Sequence, residues 1–218
     1  SSDLPSLFRS SVLTVRAGSK AEMALPDGTF VHLNAATNLE YDVNNSKQRL
    51  VKLSGEAFFD VAKNPDCPFK VIINDLQIEV VGTSFNVKTY KKDIVETSLL
   101  SGRIRISGGS LPHEYTLSPG QKATYSAMDR TLRISKADAH VEAGWRDNYL
   151  IFESTPLIDV IAQIERWYGV EIRLHHKQIA QDLLSGSFRN ESIQNVIRSL
   201  SIQYGFKYEI HKDIITIY

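Results

Sequence analysis

Hydrophobic positions along this chain follow two different periods, and the change between them falls near residue 140. From Val12 to about Ser135, apolar residues alternate with polar ones in short runs bounded by glycine, asparagine or proline, the pattern of half-buried β-strands. Ala21, Met23 and Leu25 alternate up to the turn Pro26-Asp27-Gly28, after which Val31 and Leu33 resume. Similar runs are Leu50 to Leu53, Ala57 to Val61, Phe69 to Ile73, Leu76 to Val81, Phe85 to Tyr90, Ile94 to Leu100, Arg103 to Ile106, Lys122 to Tyr125 and Leu132 to Ile134. About a dozen short strands without an intervening helix must be joined by hairpins and corners, which predicts a sandwich or a twisted solenoid.

Beyond residue 150 the apolar spacing becomes three, four and seven, and a stretch repeats at an offset of 36 residues. Phe152, Leu157, Val160, Ile161, Ile164, Tyr168, Gly169, Val170 and Ile172 match Phe188, Ile193, Val196, Ile197, Leu200, Tyr204, Gly205, Phe206 and Tyr208. Each copy predicts an amphipathic helix ended by glycine in a left-handed cap. Thr155 and Pro156 form a start signal for the first helix. With alternating runs Val170 to Leu174, Phe206 to Ile210 and Ile214 to Tyr218, the tail predicts a duplicated βαβ-βαβ module. The fold class expected is therefore a β-rich N-terminal domain, residues 12–139, followed by a small α/β domain, residues 145–218, joined through His140 to Asn148.

Charge and composition narrow the functional classes. The 218 residues are 42% hydrophobic, and Lys plus Arg equals Asp plus Glu at 25 each, so no net field draws the protein to nucleic acid or an anionic surface. Lys122, Arg130, Arg133 and Lys136 read as solvated strand faces. The lone cysteine, Cys67, excludes an internal disulfide and has no neighbouring base or ligand in sequence. No apolar run reaches membrane-spanning length, and the start, Ser1 to Phe8, lacks the plan of a signal peptide.

A search for chemistry finds turns instead. Asp27-Gly28 is a turn dipeptide. Glu56 and Asp60 share a strand face about 13 Å apart, beyond the separation of glycosidase carboxylates. Val81 to Val87 holds one glycine and opens a strand, so it reads as a corner rather than a phosphate loop. Of the six histidines, His32, His113, His140 and His211 are isolated, and the pair His175-His176 would face opposite sides of a strand. Ser54, Ser84 and Ser185 lack a nucleophile-elbow context. The expectation is a protein without catalytic, cofactor or metal residues.

Binding has a physical route through strand addition at a sheet edge. The terminal run Asp213, Ile214, Ile215, Thr216, Ile217 and Tyr218 is short, last in order and flanked by charge, and is the candidate edge. Trp167 aligns with polar Gln203 in the repeat, which makes it either an interface anchor or a ring packed under a loop.

Several segments in fixed order resemble the iron-dicitrate sensor (FecR-like) family: Pro26 to Tyr41, Leu53 to Lys63, Pro68 to Val71, Val81 to Tyr90 and Leu99 to Ile106. Leu117 to Tyr125, Trp145 and the duplicated module resemble the C-terminal extension of Bacteroidota members, itself similar to the short N-terminal domain of secretins and TonB-dependent receptors. Ala17 departs from the proline of many relatives. The resemblance implies the periplasmic sensor region of a single-pass anti-sigma factor. Its partners would be the signalling domain of a TonB-dependent outer-membrane transporter, regulatory proteases and, through a cytoplasmic part, an extracytoplasmic-function sigma factor. A carbohydrate- or ligand-binding β protein with an accessory α/β module is the alternative.

Overall fold

The computed structural model of the protein describes residues 10–42, 49–175 and 177–218. Contacts gather the chain into two units. The first holds the described residues up to Thr14, Ala21–Leu33 and Thr37–Asp138; the second holds Val15–Lys20, Asn34–Ala36 and Ala139–Tyr218.

The β region runs as β1 (Ser10–Val15), β2 (Ala21–Ala24), β3 (Phe30–Leu33), β4 (Thr37–Asp42), β5 (Arg49–Ser54), β6 (Glu56–Asp60) and β7 (Phe69–Ile73). It continues as β8 (Leu76–Val80), β9 (Ser84–Lys88), β10 (Ile94–Ser101), β11 (Ile104–Gly108), β12 (Tyr115–Leu117), β13 (Gln121–Ser126) and β14 (Thr131–Lys136). Two sheets result, ordered β1-β4-β5-β7-β8-β11-β12 and β2-β3-β6-β9-β10-β13-β14. In both, spatial order follows chain order. The chain lays one or two strands on one sheet, crosses to the other and returns one step further along. The sheets are thus layered as in a sandwich while the chain advances as in a solenoid. β5 and β7 are parallel because the chain visits β6 in the other sheet between them.

Alternation fixes the core. Val31, Leu33, Ala57, Phe59, Phe85 and Val87 from one sheet, and Leu39, Val71, Ile78 and Ile104 from the other, are wholly buried. Phe59 lies 5.2 Å from Phe85 in its own sheet and 5.8 Å from Phe69 of the facing sheet, measured between ring centroids. Burying each such ring contributes ~1.5–3 kcal/mol. The corner read at Gly82 is a close approach: a Cβ there would come within 2.8 Å of the Lys63 backbone.

At one end of the sandwich the buried Arg49 guanidinium uses all five of its N–H donors. Nε donates to Cys67 O at 2.6 Å, one terminal nitrogen to Ala62 O at 2.7 Å and Asp27 Oδ2 at 3.2 Å, and the other to Asn64 O at 3.3 Å and Val81 O at 3.4 Å. Asp27 also accepts from the Thr29 backbone N–H and hydroxyl. One cation therefore ties four chain segments that have no regular pairing of their own.

The second unit contains α1 (Ala139–Ala143), a following 3-10 turn (Gly144–Asp147), β15 (Tyr149–Pro156), α2 (Leu157–Tyr168), β16 (Glu171–Leu174), a second 3-10 turn (Lys177–Ile179), β17 (Leu183–Arg189), α3 (Ile193–Tyr204), β18 (Tyr208–His211) and β19 (Ile214–Ile217). Strand, helix and strand follow one another twice, but the strands of each copy do not share a sheet. β15 pairs with β17, and β16 and β18 flank β19. The expected βαβ-βαβ duplication is not confirmed: period-2 alternation identifies a strand without naming its partner, and here the first strands of the two stretches pair with each other while the second strands both pair with β19. One core joins them, with Leu157, Val160, Ile161 and Ile164 of α2 against Val196, Ile197 and Leu200 of α3.

Helix ends are settled partly by tertiary contacts. Gly169 and Gly205 take left-handed caps and donate to Glu165 O and Ser201 O, each at 2.8 Å. Thr155 does not cap α2; its hydroxyl turns back to Glu153. The free amides of Leu157 and Ile158 instead meet Asp182 O and Ala180 O at 2.8 and 2.9 Å.

Replacing Arg49 by Lys should lower unfolding free energy by ~2–5 kcal/mol, because three donors cannot serve five acceptors and the remaining carbonyls stay buried. Urea unfolding of the two proteins measures the difference, and a loss within about 0.5 kcal/mol would reduce the cluster to an ordinary surface contact.

Candidate partner-binding site

The terminal strand is not an edge. β19 lies between β16, parallel to it, and β18, antiparallel, so the expectation for Asp213 to Tyr218 is corrected. Ile215 and Ile217 are fully buried in the core. Asp213 O accepts from Glu171 N, Ile217 O from His175 N, and Tyr218 exchanges backbone bonds with Lys207. Last position in sequence does not imply last position in a sheet, because a parallel partner reached through a helix can lie beyond it.

What this run offers instead is a face. Alternation turns Ile214, Thr216 and Tyr218 away from the helices. Register sets Glu171, Ile214 and His211 in one row and Arg173, Thr216 and Glu209 in the next. Tyr218 is 52% exposed and its ring stacks on His175 at 5.7 Å. Arg173 pairs with Glu171 at 2.7 Å, and His211 lies 3.8 Å from Glu209. The face is polar, mixed in charge and anchored at one end by two rings.

The outer strands of this sheet differ. Antiparallel alternation points the N–H and C=O groups of Tyr208 and Ile210 away from β19. On the other side the outward amide of Ile172 is occupied by the Glu165 carboxylate at 2.7 Å. Among the described residues, strand addition is therefore open along β18 and obstructed along β16.

Trp167 is half-buried against the core of the second unit. The Lys20 ammonium sits 3.6 Å from its ring centroid and also donates to Trp145 O at 2.7 Å and Asn148 Oδ1 at 3.0 Å. Such a cation over an indole contributes ~0.5–2 kcal/mol. The turn carrying Lys20 reaches the end of α2 because Gly18, at φ +76°, has no side chain: a Cβ would lie 3.1 Å from Tyr168 O. Its amide donates to Arg166 O at 2.8 Å. Nothing in the spacing of residues 15–20 announces this role.

The remaining polar candidates have structural surroundings. Glu56 accepts from Asn86 Nδ2 at 3.0 Å and Asp60 from the Ser84 hydroxyl at 2.7 Å. His32 contacts Glu22 at 3.0 Å, His113 stacks on Tyr115 and His140 meets the edge of Tyr149. His176 lies outside the described residues. Among the described residues no three His, Cys, Asp or Glu side chains gather as a metal site would need, and no helix is long and apolar enough to cross a membrane.

Comparison with known proteins places both regions. The profile of the FecR protein family matches residues 11–105, and that of the FecR C-terminal region matches residues 149–217. Two crystal structures from Parabacteroides distasonis ATCC 8503, at 1.65 and 2.50 Å, each described as a candidate anti-sigma factor, are similar to this chain. Each is 30% identical with a TM-score of 0.85, and the likeness covers 95% and 96% of this chain and 98% of theirs. Among curated proteins none matches significantly.

The repeat supplies a test of how its two tyrosines serve the unit. Burial, and secondarily Glu191, pushes the Tyr168 phenol up, and its hydroxyl donates to Glu191 O at 2.8 Å. Burial, and then Asp182, does the same to Tyr204, whose buried hydroxyl has no partner among the described residues. Tyr168→Phe should cost ~0.5–1.5 kcal/mol, whereas Tyr204→Phe should be neutral or stabilising. Chemical unfolding of both variants checks the contrast, and equal losses would contradict it.

Proposed function

The chain belongs to the FecR family of anti-sigma factors, a regulatory and non-enzymatic kind of protein, and from that premise we propose that it is the periplasmic sensing region of a single-pass membrane regulator. In this reading it contacts the signalling domain of a TonB-dependent outer-membrane transporter and relays ligand occupancy to an extracytoplasmic-function sigma factor, with regulatory proteolysis as a further input. The observation that carries it is the presence on one chain, in one order, of the FecR segment and its C-terminal segment, with likeness to an anti-sigma factor along nearly the whole length. The sigma factor itself is met by a cytoplasmic part, so no residue here is given that role.

We assign the transporter contact to the second unit. Two features of the structure support the assignment, the open face around Tyr218, His175 and Arg173 and the edge of β18 without a partner among the described residues. The sequence resemblance of this region to the short N-terminal domain of TonB-dependent receptors agrees with it. A five-residue strand added to β18 would form four to six backbone bonds, a gross ~2–9 kcal/mol before ordering costs. Side chains on the open face must supply the rest. Trp167 enters as a support, since its ring already holds Lys20.

Calorimetric titration of this chain with the purified signalling domain of the transporter encoded beside it should give saturable binding. Tyr218→Ala should weaken it on the order of tenfold. Absence of heat with both proteins folded and at concentrations above the micromolar range would overturn the assignment.

A further inference from the structure

The β region carries its own unfinished edge. β14 is the last strand of its sheet, pairs only with β13 among the described residues, and spans six residues. Apart from half-buried Leu132, every residue in it is exposed. Soluble proteins seldom leave a strand of this length bare, because its free backbone groups invite pairing.

Register identifies which groups are free. Ala137 N donates to Gly120 O, and Ala127 N to Asp93 O, so antiparallel alternation makes Thr131, Arg133 and Ser135 the residues bonded to β13. Leu132, Ile134 and Lys136 then direct their N–H and C=O groups outward, giving six backbone groups without a partner among the described residues. Leu132 and Ile134 face the same side as buried Tyr125 and Ala123, their cross-strand neighbours. Ile134 is nevertheless 42% exposed, and Met128 at the hairpin tip is 79% exposed. The edge thus joins open hydrogen-bonding capacity to apolar side chains that its own core does not cover.

Charge selects the occupant. Arg130, Arg133 and Lys136 have no carboxylate at ion-pair distance among the described residues, and Asp129 is engaged by the Ser126 hydroxyl at 2.7 Å. A second copy laid antiparallel on β14 and centred on Arg133 or Ile134 would bring the two Arg133 side chains opposite or diagonal to each other, which destabilises a strand pair. Leu132, Ile134 and Lys136 share one face of the strand and Arg133 lies on the other. An extended segment alternating acidic with apolar residues therefore completes the ladder with its backbone, covers Leu132 and Ile134 with its apolar side chains and sets its carboxylates beside Arg133.

We propose that β14 is a docking edge for an extended acidic segment of a partner protein, adding a strand to the sheet beyond β14. The proposal concerns the β region alone and stands whether or not the second unit meets a transporter.

The test is residue-resolved amide exchange on this chain with a short soluble peptide alternating glutamate with valine or threonine, and with its lysine counterpart. In the free protein the amides of Leu132, Ile134 and Lys136 should exchange fast while those of Thr131, Arg133 and Ser135 are protected. The acidic peptide should slow the first three and the lysine peptide should not. Ile134→Pro removes one outward donor without touching the ladder to β13, and Arg133→Glu reverses one charge; each should weaken peptide binding about tenfold. Either variant is read only with its β13 amides still protected. The proposal is overturned if the acidic peptide leaves the three amides fast, if both folded variants bind as tightly as the parent, or if polyphosphate competes equally without protecting them. Protection that grows with protein concentration alone would make the occupant a second copy and overturn it as well.

Discussion

One buried guanidinium holds the β region in register. Arg49 is an ion taken out of water with a single carboxylate beside it, so its desolvation, several kcal/mol, is offset only because every N–H finds an acceptor. Those acceptors come from the Asp27 turn, the loop after β6, the approach to β7 and the end of β8. None of the four can relax alone without leaving a donor bare. A chain that crosses between sheets every one or two strands needs such a tie, since its corners lie where ladder hydrogen bonds stop. The phenylalanines Phe59, Phe69 and Phe85 supply bulk between the sheets; Arg49 fixes the geometry at their end.

The second unit solves a different problem with less material. Neither stretch of the repeat, one helix with two strands, can form a core alone, so the two share one; their first strands pair with each other and their second strands both pair with β19. The two stretches of the repeat share the apolar stripe and the glycine caps while their polar details differ. Ser192 caps α3 through the Asn195 amide at 3.2 Å, whereas α2 draws carbonyls from Asp182 and Ala180. Tyr168 found a carbonyl for its hydroxyl, and Tyr204 did not among the described residues. Segment 15–20, distant in sequence, completes the unit by laying Lys20 over Trp167.

Local pattern made much of this legible. Alternation located most strands of the β region, and the 36-residue repeat located both helices and their glycine ends. It missed β4 and β12 because each carries few apolar residues; in β4, Thr37 is buried through its bonds with Glu56, a role a hydropathy pattern assigns to solvent. Pairing was not legible at all. That β19 is central, that β5 and β7 are parallel and that β15 joins β17 are facts about distant segments, which no local period encodes. Arg49 was equally silent, since a lone arginine at the start of a strand reads as surface until its acceptors converge. The family resemblance rested on turns and corners, and those are the places where Arg49 and Gly82 constrain the chain most tightly.

The structure presents surfaces more than sites: an open sheet face in the second unit, edges at β18 and β14 without a partner among the described residues, and polar side chains already engaged with one another. A regulator that works by contact needs its partner to change its output, and that dependence can be measured in cells. The proposed relay predicts that, with the intact regulator and a reporter of its sigma factor, deleting only the signalling domain of the transporter encoded beside it abolishes the response to the transported ligand while leaving uptake intact. A response that persists at its full size without that domain would contradict the account.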